Sequence, residues 1–136
     1  IATRLSVTNF DGYLADPDRA LFLAYVDGEP VGYTMVVFGE PTDADVAASI
    51  RLRPTSELSK VYVLPGHHGA GIAPALVAAS LDCARQRGAN GMWLGVNHLN
   101  ARANRFYEKS GFKQVGMKKF LVGENWEDDF VRERPL

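Results

Sequence analysis

Gly66, Gly69 and Gly71 fall within six residues of the stretch Leu64 to Val77, LPGHHGAGIAPALV, and an alanine-rich apolar run follows at once. Ordering a glycine costs more backbone entropy than ordering any other residue, so a cluster of it marks a place that backbone must approach closely. The first turn of a helix offers unpaired N–H groups and the positive end of the dipole, and the chemistry implied is the binding of an anion such as a phosphate. Two phosphate patterns fail here. A P-loop needs Lys and then Ser or Thr after its last glycine, where this chain has Ile72 and Ala73. A dinucleotide fingerprint needs Gly or Ala at its last position, where Pro74 would hinder close helix packing.

The elements around this loop follow from periodicity and punctuation. Leu21 to Val26 and Val31 to Phe38 are apolar strands on either side of Asp27-Gly28-Glu29-Pro30, a hairpin signal. Residues 9–16 read as a short helix or loop ahead of Pro17, and residues 39–55 as a loop with some strand. Glu57 to Leu64 is a strand stopped by Pro65. Gly71 to Arg87 is a helix, with Ile72, Ala75, Leu76, Ala79 and Cys83 on one face and Gly88 as its stop. Pro74 is tolerated because it lies in the first turn. Met92 to Val96 is a buried strand, which completes a βαβ unit with a parallel pair. Asn100 to Ser110 is a second helix, with Asn100 as N-cap, Gly111 as stop, and Ala103, Phe106, Tyr107 and Ser110 sharing a face. Phe112 to Val122 and Asp128 to Arg134 form a last hairpin turning near Gly123-Glu124-Asn125. Hairpins flanking one βαβ unit make an α+β fold with a mixed, mostly antiparallel sheet and flanking helices.

Bulk properties narrow the classes. The 136 residues suit a single domain spanning 1–136. With 15 basic and 16 acidic residues the net charge is -1, which disfavours nucleic acid as the main ligand. One cysteine, Cys83, excludes an internal disulfide and a cysteine-based zinc site, and fits a cytoplasmic location. No run of 18 apolar residues or signal peptide is present in the sequence, so no membrane partner is expected. The chain starts at Ile1, from which a missing natural N-terminus is expected. His67, His68 and His98 lack metal-ligand spacing, so no metal is expected, and Trp93 and Trp126 read as packing residues.

A third phosphate pattern, Gln/Arg-x-x-Gly-x-Gly/Ala, matches His68-Gly69-Ala70-Gly71-Ile72-Ala73 except at its first position, where His68 stands. This is the acyl-CoA pyrophosphate loop of the GNAT-superfamily N-acetyltransferases, which the chain resembles over roughly residues 20–136. VYVLPGHHGAGIAPALV resembles the strand, loop and helix of that superfamily, and NHLNARANRFYEKSGF its later helix. The ending FLVGENWEDDFVRERPL is similar to the tail of bacterial spermine/spermidine acetyltransferases. The family's first strand and part of its first helix are expected to be absent.

The resemblance implies acetyl-CoA as co-substrate and direct transfer of its acetyl group to a primary amine, a polyamine or other small amine, in a ternary complex. It implies that Val61, Tyr62 and Val63 lie along the pantetheine arm and that Gly69, Ala70, Gly71, Ile72, Ala73 and Pro74, with His68, hold the pyrophosphate. Asn100 is implied as a CoA contact, and is equally a good N-cap. Tyr107 is implied as the acid that protonates the departing thiolate, against the plain reading of a packed tyrosine beside Phe106. The acceptor amine has its own requirement. An alkyl ammonium with a pKa near 10 is neutral in about one molecule per thousand at pH 7, a penalty of about 4 kcal/mol. Glu57, on the strand before the loop, is implied as the base; its plain reading is a solvent-facing strand residue. Six basic residues and one acid, Glu108, lie between Arg102 and Lys119, a face for the adenosine 3′-phosphate or a solvated surface. The alternatives are a protein or peptide amine, an amino acid or an amino-sugar antibiotic as acceptor, a non-catalytic acyl-CoA sensor on the same fold, and an interaction module that binds no CoA. A homodimer is a habit of the family.

Overall fold

The computed structural model of the protein describes residues 5–9, 17–67 and 71–136. Among these the chain forms seven strands and three helices. In chain order they are β1 (Leu5–Asn9), β2 (Arg19–Val26), β3 (Glu29–Phe38), α1 (Ala44–Ser49), β4 (Thr55–Val63), α2 (Ile72–Gln86), β5 (Gly91–Asn97), α3 (Ala101–Lys109), β6 (Lys113–Val122) and β7 (Asn125–Pro135). The strands follow one another in the sheet as β1-β2-β3-β4-β5-β7-β6. The mixed sheet and the β4-α2-β5 crossover match the fold expected from the sequence. The chain divides into two compact units, Ile1–Phe38 with Leu58–Gly88, and Gly39–Glu57 with Ala89–Leu136.

In the first unit β2 and β3 pair antiparallel, and Asp27 and Gly28, both at positive φ (51° and 84°), make the two-residue turn that such a hairpin favours. Ala20, Phe22 and Ala24 on β2, and Gly32, Thr34 and Val36 on β3, alternate into the core. The core face of α2 is Ile72, Leu76, Val77, Ser80, Leu81 and Ala84. This face is rotated from the expected one: Ala75, Ala79 and Cys83 are half-buried. Ser80 carries the difference, because it is polar by type yet fully buried. Its hydroxyl bonds the Leu76 carbonyl at 2.8 Å and the Thr34 hydroxyl at 2.8 Å, which satisfies both buried groups. Gly32 is required by space: a Cβ there would stand 2.6 Å from the Tyr62 carbonyl oxygen and 3.3 Å from Leu76 Cδ1.

The second unit packs α1 and α3 on β5, β6 and β7. The segment read as loop with some strand contains α1 instead. Asp43 caps it, accepting from Asp45 N at 2.8 Å and Val46 N at 3.1 Å. Val46 and Ile50 bury against Trp93 and Val131, with Val115 alongside. Six residues are too few for a legible period. β1 was not expected either. Its apolar residues, Leu5 and Val7, make too short an alternation to mark a strand, four of its five residues are exposed, and it pairs with β2 from Leu5–Val26 to Asn9–Phe22. Trp93 is buried as expected; Trp126 is 67% exposed, contrary to its reading as a packing residue, because it lies beside the hairpin turn of β6 and β7. Of the segment 9–16 expected as a short helix or loop, Asn9 ends β1 and residues 10–16 lie outside the described residues.

Gly32→Ala should lower the urea midpoint of unfolding by an amount equivalent to about 1–3 kcal/mol, because backbone at Tyr62 cannot yield as a side-chain tip would. Equilibrium denaturation followed by circular dichroism measures it.

Candidate active site

The expected pyrophosphate loop follows β4. His68, Gly69 and Ala70 lie outside the described residues. Gly66 and Gly71, which flank them, both adopt positive φ (88° and 79°), and a Cβ on either would meet nothing within 4 Å. Gly71 is the N-cap of α2 and, as a glycine, offers no capping side chain. Ala75 N donates to the Gly71 carbonyl at 3.1 Å, so the helix ladder begins there. Pro74 has no N–H, which leaves Ile72 and Ala73 as the first-turn donors of α2. Ile72 is buried, and Ala73 is half-buried. The arrangement is suited to an anion held by main-chain amides.

Ahead of the loop, Val61 is half-buried, Tyr62 is 45% exposed and Val63 is buried. The Tyr62 ring lies 5.7 Å from that of Tyr33. β4 pairs in parallel with β5 over three positions, Thr55–Gly91, Ser56–Met92 and Glu57–Trp93, and then continues for six residues to Val63. Glu57 is half-buried at the last of these pairs.

Tyr107 sits half-buried on α3, with the Phe106 ring 5.4 Å away and the Phe112 ring edge-on at 6.2 Å. Burial pushes its hydroxyl above the ordinary tyrosine value. The hydroxyl is therefore protonated at neutral pH. Asn100 is the N-cap of α3: its side-chain oxygen accepts from Ala103 N at 3.1 Å, as the capping reading expects.

What holds α3 was not read from the sequence. Arg132 is buried on β7. Its Nε donates to Asn104 Oδ1 at 3.0 Å, and one terminal nitrogen donates to the Phe112 carbonyl at 3.0 Å and to Glu108 Oε2 at 2.6 Å. Asn104 in turn donates to the carbonyls of Asn97 and Asn100. Glu108 also receives Lys113 Nζ at 2.9 Å. Hydrogen bonds from Lys113 and then Arg132 hold the Glu108 carboxyl below the ordinary glutamate value. The basic run between Arg102 and Lys119 is thus partly committed to Glu108 through Lys113. On the other side of β7, Glu133 accepts from the backbone N–H groups of Arg51 and Leu52 at 3.0–3.2 Å. Among the described residues no group of three metal-ligating side chains is gathered, and no helix is long and apolar enough to cross a membrane.

Comparison with known proteins agrees with this geometry. The sequence model of the Acetyltransferase (GNAT) family matches residues 2–112. An N-acetyltransferase of uncharacterized role from Mycobacterium tuberculosis is 45% identical over 136 residues, 100% of this chain and 80% of its own length. The crystal structure of nourseothricin acetyltransferase superposes with a TM-score of 0.71 at 28% identity, covering 88% of this chain and 66% of that one. A GNAT-family acetyltransferase from Elizabethkingia anophelis with acetyl-CoA bound has the same fold, with a TM-score of 0.71 at 15% identity over 97% of this chain and 98% of that one. The chain belongs to the acetyltransferase (GNAT) family and is an N-acetyltransferase.

Replacing Arg132 with Met should destabilise the protein by about 1–3 kcal/mol for each buried acceptor left unpaired, Asn104 Oδ1 and the Phe112 carbonyl being the two affected. Glu108→Gln should show a pH signature. A carboxyl depressed in the folded state contributes stability above its unfolded value of 4.5 and loses it as pH falls through the folded value. The midpoint gap between wild type and Glu108→Gln should therefore be open at pH 6 and close below pH 4.5. Urea titrations across that range measure it.

Proposed function

We propose that the protein transfers the acetyl group of acetyl-CoA to a primary amine by direct attack in a ternary complex. The observation that carries this reading is the start of α2, where Gly71, at positive φ and with no side chain of its own, is the N-cap directly after the β4 loop. In this reading the amides of Gly71, Ile72 and Ala73, with His68, Gly69, Ala70 and Pro74 around them, hold the pyrophosphate. Val61, Tyr62 and Val63 lie along the pantetheine arm on the stretch of β4 past its ladder with β5, and Asn100 contributes through the start of α3 alongside its capping role.

Glu57, directly or through water, takes the proton that the ammonium must lose. The freed nitrogen pair forms the new C–N bond as the C–S bond breaks, and Tyr107 gives its proton to the departing sulfur. The second proton that the new amide nitrogen sheds returns through water to the Tyr107 oxygen, and Glu57 releases its proton to solvent. The Tyr107 hydroxyl is protonated at neutral pH and so has a proton to give. Polyamines, other small amines, amino acids, protein or peptide amines and amino-sugar antibiotics all present the amine this reaction needs. The tail resemblance supports a polyamine, and the relative named for nourseothricin supports an antibiotic amine.

A homodimer and a cytoplasmic location belong to the same reading. The decisive experiment has two parts. Acetyl-CoA at 100 times its dissociation constant should stabilise the protein by about 2.7 kcal/mol in a thermal shift. Acetyl-CoA should also be consumed in the presence of an amine panel; stabilisation without consumption would identify an acyl-CoA sensor instead. Tyr107→Phe should lower kcat by about 10²–10⁴-fold and leave the KM for acetyl-CoA nearly unchanged. Unchanged turnover would remove Tyr107 from the mechanism.

A further inference from the structure

β5 is flanked by β4 and β7; five of its seven residues are buried, Asn97 is half-buried, and Gly95 is the one exposed residue. Successive strand residues alternate faces, so Gly95 shares a face with Trp93 and Asn97. Trp93 is covered by Val46 and Ile50 of the α1 segment. Two residues further along, about 7 Å by strand geometry, the sheet floor is exposed at Gly95, with the flexible end of Lys118 against it. Two opposite charges rim that floor. Measured from where a Gly95 Cβ would stand, Lys118 Cε is at 3.0 Å, Asp129 Oδ2 at 3.4 Å and Lys118 Nζ at 3.7 Å. Lys118 and Asp129 are directly opposite each other in the β6–β7 ladder, and Asp129 is opposite Asn97 in the β5–β7 ladder. Glu57 pairs with Trp93, so the proposed base belongs to the same face.

We propose that Gly95, Lys118 and Asp129 form the acceptor subsite, with the amine against Asp129 and a carboxylate or carbonyl oxygen of the same molecule against Lys118. This rests on the reading that an amine accepts the acetyl group, and it narrows that amine. A carboxylate paired with a fixed cation suits a head group that carries both signs of polarity, the α-amino-acyl unit shared by free amino acids and peptide N-termini. It suits a polycation poorly, because Lys118 repels the second ammonium. The state of Asp129 agrees: burial raises its carboxyl above the ordinary aspartate value even though Lys118 and His98 act to lower it. An arriving ammonium supplies compensation that the protein leaves incomplete.

The plain alternative is a cross-strand charge pair that only steadies the hairpin, and Gly95→Ala separates the two. Gly95 is not at positive φ, and its tightest neighbour is the flexible end of Lys118, so the added methyl should leave the unfolding midpoint unchanged while filling the floor. The test uses the whole chain labelled with [¹⁵N]glycine, with the Gly95 amide identified by its loss in Gly95→Ala. L-alanine, tri-alanine and spermidine are titrated separately. Saturable movement of the Gly95 signal with L-alanine or tri-alanine, stronger than with spermidine, is expected, and the two probes distinguish a free amino acid from a peptide end. Asp129→Asn and Lys118→Met should each weaken that response at least tenfold. In steady state, Gly95→Ala and Asp129→Asn should raise the acceptor KM at least tenfold and leave the acetyl-CoA KM in place. Acetyl-CoA consumption with a silent Gly95 signal, or a response strongest to spermidine, overturns the subsite and leaves amine acetylation standing. A Gly95 response without consumption by any probe keeps the subsite and overturns the transfer reaction.

Discussion

Two buried charged residues stand next to each other in β7, Arg132 and Glu133, and the second compact unit depends on their pointing in opposite directions. Burying an unpaired charge is costly enough that neither would persist without partners. The Arg132 guanidinium gathers Asn104, Glu108 and the Phe112 carbonyl, and so fastens the helix that carries Tyr107. The Glu133 carboxylate gathers the N–H groups of Arg51 and Leu52, and so fastens the chain just past α1 on the other face. One strand thereby fixes both layers, and hydrogen-bonding direction specifies what hydrophobic contact alone would leave free to slide.

The parts of the fold that were legible in the sequence are those whose signal is local. The Asp27-Gly28 turn, the stop at Pro65, the N-cap at Asn100 and the Gly123-Glu124 turn each announce themselves by backbone chemistry within a few residues, and the hairpins and the β4-α2-β5 crossover follow from them. α1 and β1 were not legible. α1 is held by one capping aspartate and by apolar contacts to Trp93 and Val131, far along the chain, and β1 shows almost no buried face of its own. The rotated face of α2 has a similar cause. Ser80 is polar by type and core by position, because Thr34 supplies its partner from another strand.

The candidate site divides in the same way. Gly71, Tyr107, Glu57 and Asn100 stood out by motif. Arg132 and Glu133 did not, because a charged residue in a strand-like tail reads as solvated until its partners are known, and Asn104 did not, because a polar residue within a helix reads as surface until its partners are known. Asp129 belongs with them: it lies in an acidic run, and what separates it from Asp128 is which side of the strand it occupies and what the opposite strand presents there.

Trp93 and Trp126 are the only tryptophans in the chain, and they occupy opposite environments. The indole of Trp93 is sealed beneath α1, while that of Trp126 projects from the hairpin end with two-thirds of its surface in water. The molecule therefore carries a shielded fluorophore and an open one that a soluble quencher would tell apart, and loosening of the α1 layer would turn the first into a copy of the second.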